Sequence, residues 1–287
     1  MKICRFNNGR LGVVDNGQVC DVSEALNLLP GCGYPFPRHD VLMEHLDEVR
    51  AVISRLLPDA ERLQIDAVRF DPPVANPGKI VAAPVNYTRH LQEVLSDPNL
   101  HHDNQINHIE RAGLFLKANS SLIGMGDPVA YCQPARRTDH EVELVVVIGK
   151  HCKNIQAEDA LSVVAGYSVG LDMTIRGPEE RSMRKSPDTY TVLGPWLVTA
   201  DEIADPGALE LTLAVNGATR QQANTSDLIL GVRELIAFAT RFYTLHPGDL
   251  LFTGTPEGVG PVVPGDRIVA SIQHVGELQV QVVGGAE

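Results

Sequence analysis

The sequence predicts an α+β protein, a mostly β body behind a small N-terminal α+β unit. Three observations carry that expectation: a series of short strand-like runs from residue 79 onward, helical spacing confined to a few stretches, and a Pro-rich break near residue 72. Residues 1–20 read as short strands around a turn at Asp15-Asn16-Gly17. Residues 40–64 then repeat apolar side chains at helical spacing through Val41, Leu42, Leu46, Val49, Val52, Ile53 and Leu56. The segment DPPVANPGK, 71–79, resists both helix and sheet, because proline fixes φ and lacks the N–H that a ladder needs. The boundary is placed there, giving units at 1–72 and 73–287. Beyond it come KIVAAPVN, GLFLKA, ELVVVIGK, AGYSVGLDMTI, ELTLAVNG, DLLFTGT, DRIVASIQ and ELQVQVVGG, separated by turn signals such as HPGD and VPGD. Two helical stretches interrupt this β body, at 158–165 and at 226–242, the second with a Ser/Asp start. The polar, unpatterned segment 95–113 suggests a mobile lid.

Composition narrows the partners. With 44% hydrophobic residues the 287-residue chain can build a substantial core, and a net charge of −12 argues against nucleic acid or an anionic membrane surface as partner. No stretch approaches the roughly 18 apolar residues of a membrane-spanning helix. Five cysteines without a CxxC pair fit neither a disulfide framework nor a zinc ribbon, so a reducing cytoplasm is the expected location. An anionic ligand would have to be met by a local cluster of cations or by a metal.

DHEVELVVVIGK, 139–150, raises that question directly. Alternation along a strand puts Glu141 and Glu143 on one face and Val142, Leu144, Val146 and Ile148 on the other. The two carboxylates would lie roughly 7 Å apart. Like charges there repel by roughly 2 kcal/mol at an effective dielectric near 20, so something positive should sit between them. In GYSVGLDMTIR, 166–176, the same alternation groups Gly170, Asp172, Thr174 and Arg176, adding a third carboxylate. Three oxygen donors without a nearby cysteine suit a hard cation, Mg²⁺ or Mn²⁺, with Ca²⁺ a further candidate. The pattern equally fits solvated edge residues paired with lysines. His140 is expected to face away from the two glutamates.

Other stretches offer chemistry of their own. His90 and Glu93 in NYTRHLQE share a helical face, where a carboxylate fixes the imidazole tautomer and prepares it as a base; a surface histidine beside an incidental acid reads the same way. RGPEERSMRKSPD, 176–188, gathers Arg176, Arg181, Arg184 and Lys185, suited to hold a carboxylate or an oxyanion, or else balanced by Glu179 and Glu180 as a charged loop. FTGTPEGVG, 252–260, offers backbone N–H and threonine hydroxyl groups to an anion, or forms a plain turn. Gly166-Tyr167-Ser168-Val169-Gly170 spells GxSxG, but that motif requires a sharp strand-to-helix turn and the strand alternation here runs straight through it.

Taken together, NYTRHLQE, LFLKANSSLIG, DHEVELVVVIGK, AGYSVGLDMTIR, RKSPDTYTVLGPWLVT, LAVNGATRQQANTSDLI, LHPGDLLFTGTPEGVG and PGDRIVASIQHVGELQ resemble, in order and spacing, the fumarylacetoacetate hydrolase family. The resemblance implies a mixed β-roll body, a homodimer, and Mg²⁺ or Mn²⁺ held by the positions of Glu141, Glu143 and Asp172. It implies a catalytic dyad of His90 and Glu93 on a lid at about 86–113, a motif lysine at Lys185, and substrate contacts from Arg176 and Thr255; Tyr87 and Glu179 join these as substrate-binding candidates. Glu179 departs from many relatives, which carry glutamine seven residues after the aspartate. The activity implied is metal-dependent hydrolysis of a carbon–carbon bond in an acylpyruvate or related 2,4-diketo acid, such as fumarylpyruvate or maleylpyruvate, in the breakdown of aromatic compounds. A 2-oxo acid decarboxylase or a hydroxy-dienedioate isomerase on the same fold, and a non-catalytic binding protein, are the alternatives.

Overall fold

The computed structural model describes residues 1–101 and 108–285, so part of the expected lid, 102–107, lies outside the described residues. Its architecture is α+β, with three mixed or antiparallel sheets. The largest has twelve strands, and at its centre Val142–Ile148 runs antiparallel to Val164–Asp172 on one side and to Leu250–Phe252 on the other. All seven residues of Val142–Ile148 are buried. Burial on both faces explains why this segment reads as an apolar run instead of alternating, and why a lone glutamate inside it stands out.

Outward from the centre, Val164–Asp172 pairs with Thr191–Thr199, and that strand pairs with Lys2–Phe6. The strands of the proposed 1–72 unit therefore continue the sheet of the 73–287 unit. Helix Leu46–Leu56 covers them, burying Leu46, Val49 and Ile53 at the spacing the sequence sets. A second sheet of five strands contains Glu210–Val215, Ala218–Asn224, Arg267–Ile272, Gly276–Gly284 and Val129–Tyr131. A third joins Thr174–Ile175, Thr138–His140 and Gly260–Val262. Among the described residues no helix is long and apolar enough to cross a membrane.

Several elements differ from the sequence reading for physical reasons. The stretch 226–242 does not become helical at its Ser/Asp start. There the Asn224 side chain accepts the Ser226 N–H and closes a single 3₁₀ turn, Thr225–Asp227. The α-helix, Val232–Phe242, begins only after Gly231. The stretch at 158–165 is likewise a 3₁₀ helix, Ala157–Val163. Thr191–Thr199 is a strand despite Pro195, which lies where the register against Val164–Asp172 shifts between Tyr167 and Val169. At that irregularity the Ser168 hydroxyl, fully buried, donates to the Trp196 carbonyl at 2.9 Å, so the serine of the GxSxG stretch fills a gap in the ladder.

Candidate active site

The third sheet changes ladder partners where the first begins, and the carboxylates stand at that junction. Glu141 lies between the strands Thr138–His140 and Val142–Ile148, and its carbonyl accepts the Asp172 N–H at 2.9 Å, tying the two acidic strand ends together. Carboxylate oxygens of Glu141, Glu143 and Asp172 lie within 4.8 Å of one another, and all three residues are buried. Three like charges so close demand compensation, and the surrounding side chains supply it unevenly.

Glu141 is the best compensated. Its Oε2 accepts from Lys185 Nζ at 2.6 Å, and its Oε1 accepts from Arg176 Nη2 at 3.0 Å and from the Thr174 hydroxyl at 2.9 Å. Burial alone would raise this carboxyl, but Lys185 and then Arg176 pull it far below the usual range. Asp172 accepts from Lys185 Nζ at 2.5 Å and also from the fully buried Lys117. Glu143 pairs with no cation among the described residues. Its Oε2 accepts the Gly254 N–H at 2.7 Å, and burial followed by the charge of Asp172 holds its carboxyl well above the ordinary range. The trio thus offers hard oxygen donors, one of which lacks a counter-charge, and that donor set fits a divalent ion such as Mg²⁺ or Mn²⁺.

Helix Thr88–Ser96 brings the imidazole to the same place. Asn86 anchors its start, donating to the Leu230 and Thr253 carbonyls at 2.9 Å each. The buried His90 shares a hydrogen bond between Nδ1 and Glu93 Oε2 of 2.8 Å, while Glu93 Oε1 accepts the Gly258 N–H at 2.9 Å. Glu93 therefore fixes the imidazole and the glycine-rich loop at once. His90, Glu141, Glu143, Arg176, Lys185 and Thr255 all line one cavity of about 220 Å³. The Thr255 hydroxyl accepts from Gln221 Nε2 at 2.8 Å, whose other face holds His140, so His140 does turn away from the carboxylates.

Two predicted substrate-binding residues are placed differently from the rest. Tyr87 is buried beside the cavity without lining it, and its hydroxyl has no hydrogen-bond partner among the described residues. Glu179 reaches the cavity, but both its oxygens accept from Arg136, at 2.9 and 2.7 Å. Sequence reasoning overlooked Lys117, Gln221 and Asp139, which accepts from Arg176 Nε at 2.8 Å, while the Gly254 N–H belongs to the 252–260 stretch expected to offer backbone donors. Lys117 had left a signal, since period-two alternation in Phe115–Lys117 puts it on the buried face with Phe115.

The model of the fumarylacetoacetate (FAA) hydrolase C-terminal family matches residues 79–283, a stretch that holds every carboxylate and cation just described. The chain belongs to the fumarylacetoacetate hydrolase family. Its relatives include the maleylpyruvate hydrolase of Aquipseudomonas alcaligenes, 59% identical over 98% of this chain and 99% of that one. The 2,4-didehydro-3-deoxy-L-rhamnonate hydrolase of Sphingomonas sp. is 35% identical over 99% and 94% of the two chains. Among solved structures, maleylpyruvate hydrolase from Sphingobium sp. SYK-6 in complex with manganese(II) and pyruvate superimposes with a TM-score of 0.85, at 41% identity and full coverage of both chains. These matches extend over the residues before 79 as well as over the stretch that the family model covers.

Proposed function

We propose that this protein is a divalent-metal-dependent hydrolase that cleaves the carbon–carbon bond of an acylpyruvate, with maleylpyruvate the first substrate to test. The single observation that carries the reading is one cavity lined by His90, tied to Glu93, together with Glu141 and Glu143 of the buried carboxylate trio. The relatives named as maleylpyruvate hydrolases, one of them bound to manganese and pyruvate, support it. Glu141, Glu143 and Asp172 would hold Mg²⁺ or Mn²⁺, which supplies Lewis-acid polarisation of the substrate's oxygen atoms.

The chain's own residues do the proton work. With Nδ1–H donated to Glu93, His90 keeps a free lone pair on Nε2 and takes a proton there from water. The resulting hydroxide adds to the acyl carbonyl. The bond between that carbon and the neighbouring methylene breaks, releasing a carboxylic acid and the enolate of pyruvate, which takes up one proton. Lys185 and Arg176 oppose the negative charge that develops on the reacting oxygens. Thr255, braced by Gln221, helps to orient the substrate.

A lactate dehydrogenase-coupled assay tests this reading. Pyruvate should appear stoichiometrically from maleylpyruvate when Mn²⁺ is present and cease in excess chelator; turnover without pyruvate, or turnover indifferent to chelator, contradicts it. A homodimer in a cytoplasmic compartment completes the proposal, checked by light scattering and by cell fractionation.

A further inference from the structure

The helix Arg181–Lys185 adds to the cavity two cations that the reaction above leaves unused. Four basic side chains line that space, Arg176, Arg181, Arg184 and Lys185. Two are already matched: Arg176 by Asp139 and Glu141, Lys185 by Glu141 and Asp172. Arg181 and Arg184 form no salt bridge among the described residues. Arg184, only 8% exposed, donates to two backbone carbonyls, those of Glu179 at 2.8 Å and Ile175 at 3.3 Å. Arg181 lies over the Phe115 ring, 5.6 Å from its centroid.

The neighbouring acids of the cavity offset them only in part, Glu180 acting on Arg181 and Glu179 on Arg184 without a direct ion pair among the described residues. Glu179 is held at both oxygens by Arg136, and the exposed Glu180 caps the helix by accepting the Ser182 N–H at 2.7 Å. Arg181 and Arg184 stand three residues apart, on one face of their helix. Burial lowers both guanidiniums from their ordinary value, and Arg176 adds to the effect at Arg184, so each would gain from an anion. An acylpyruvate carries one carboxylate on its pyruvyl part, which the metal-binding end of the cavity accounts for.

Resting on the acylpyruvate reading, we propose that Arg181 and Arg184 receive a second carboxylate at the far end of the acyl group, making the enzyme selective for dicarboxylic acylpyruvates. Planar guanidinium groups match a carboxylate through paired N–H donors, and a desolvated site strengthens each contact. A site built this way rejects a substrate that lacks the matching group, because its charges are then buried unpaired.

The test compares kcat/KM for maleylpyruvate, which carries the second carboxylate, with that for acetylpyruvate, which has a methyl group there, each in saturating Mn²⁺. The wild-type enzyme should prefer maleylpyruvate by at least about 10²-fold, the scale of a charge-assisted contact. In Arg181→Met and Arg184→Met that ratio should fall at least about tenfold, chiefly through KM for maleylpyruvate, and Arg181→Lys should retain part of it. Since Arg181 donates to no backbone carbonyl among the described residues, its variants keep the test independent of any folding defect at Arg184. Equal losses on both substrates, or a wild-type ratio near one, overturn the inference while leaving the acylpyruvate reading in place. No hydrolysis of either substrate overturns both.

Discussion

Glu93→Gln asks most of the proposed proton transfer, because the substitution keeps size and shape while reversing one hydrogen bond. In the native protein one carboxylate accepts twice, from the His90 ring at 2.8 Å and from the Gly258 N–H at 2.9 Å. Glutamine has one acceptor oxygen. If that oxygen stays with Gly258, the amide NH₂ faces Nδ1 and drives the ring proton to Nε2, the atom that must receive a proton from water. If the amide flips, its NH₂ opposes the Gly258 N–H, leaving two donors face to face at a cost of about 1–3 kcal/mol. Either way the base is disarmed or mispositioned. A well-placed general base contributes about 10²–10⁴-fold, about 3–5 kcal/mol of barrier, so kcat should fall by about 10²–10³-fold. Mn²⁺ affinity, set by side chains that Glu93 does not touch, should change less than about threefold, under 1 kcal/mol. Coupled pyruvate release gives kcat, and isothermal titration of Mn²⁺ into metal-free protein gives the affinity. A kcat within about threefold of wild type would remove His90 and Glu93 from the proton transfer, since a general base should matter far more than that.

Three further outcomes follow from the same geometry. Gly254 has φ of +100° and its N–H holds Glu143, while a Cβ there would meet the Asn86 Cβ at 2.7 Å; Gly254→Ala should therefore destabilise by about 2–3 kcal/mol and weaken Mn²⁺ binding, measured by denaturant unfolding and titration. Lys117 is a buried partner of Asp172, so Lys117→Met should cost about 3–5 kcal/mol in urea unfolding, and a loss under about 1 kcal/mol would show that Lys185 alone suffices. Glu143 carries a raised carboxyl pKa in the metal-free fold, so that fold keeps a proton which the unfolded chain releases above its ordinary 4.5. Stability contributed by this group is full below that value and is lost as pH climbs towards the raised one. Metal-free wild type should lose stability relative to Glu143→Gln as pH rises above the ordinary 4.5, and parallel profiles would contradict the assignment.

How much of this was legible in the sequence depends on the range of the interaction. Alternation along 139–150 and 166–176 is local, and it grouped Glu141, Glu143 and Asp172 correctly because strand periodicity alone decides which side chains share a face. The same holds for His90 and Glu93, one helical turn apart. Partners across the fold left no such trace. The Glu93 contact to Gly258 spans 165 residues, and the Glu143 contact to Gly254 spans 111. Lys185 illustrates the middle ground. Its motif position was read, but its bonds to Glu141 and Asp172 come from the packing of Arg181–Lys185 over the sheet junction, which no spacing specifies. The strands at 191–199 and 218–224 escaped for another reason: Pro195 breaks the first pattern, and the second is an edge strand with little to bury apart from Gln221.

The central claim is that Glu141, Glu143 and Asp172 together hold one divalent ion. Anomalous diffraction at the manganese edge, from crystals equilibrated with Mn²⁺, tests it without reference to turnover. A single strong peak should lie within about 2.6 Å of a carboxylate oxygen from each of the three residues. A peak elsewhere, or none while Lys185 still bridges Glu141 and Asp172, would contradict that claim.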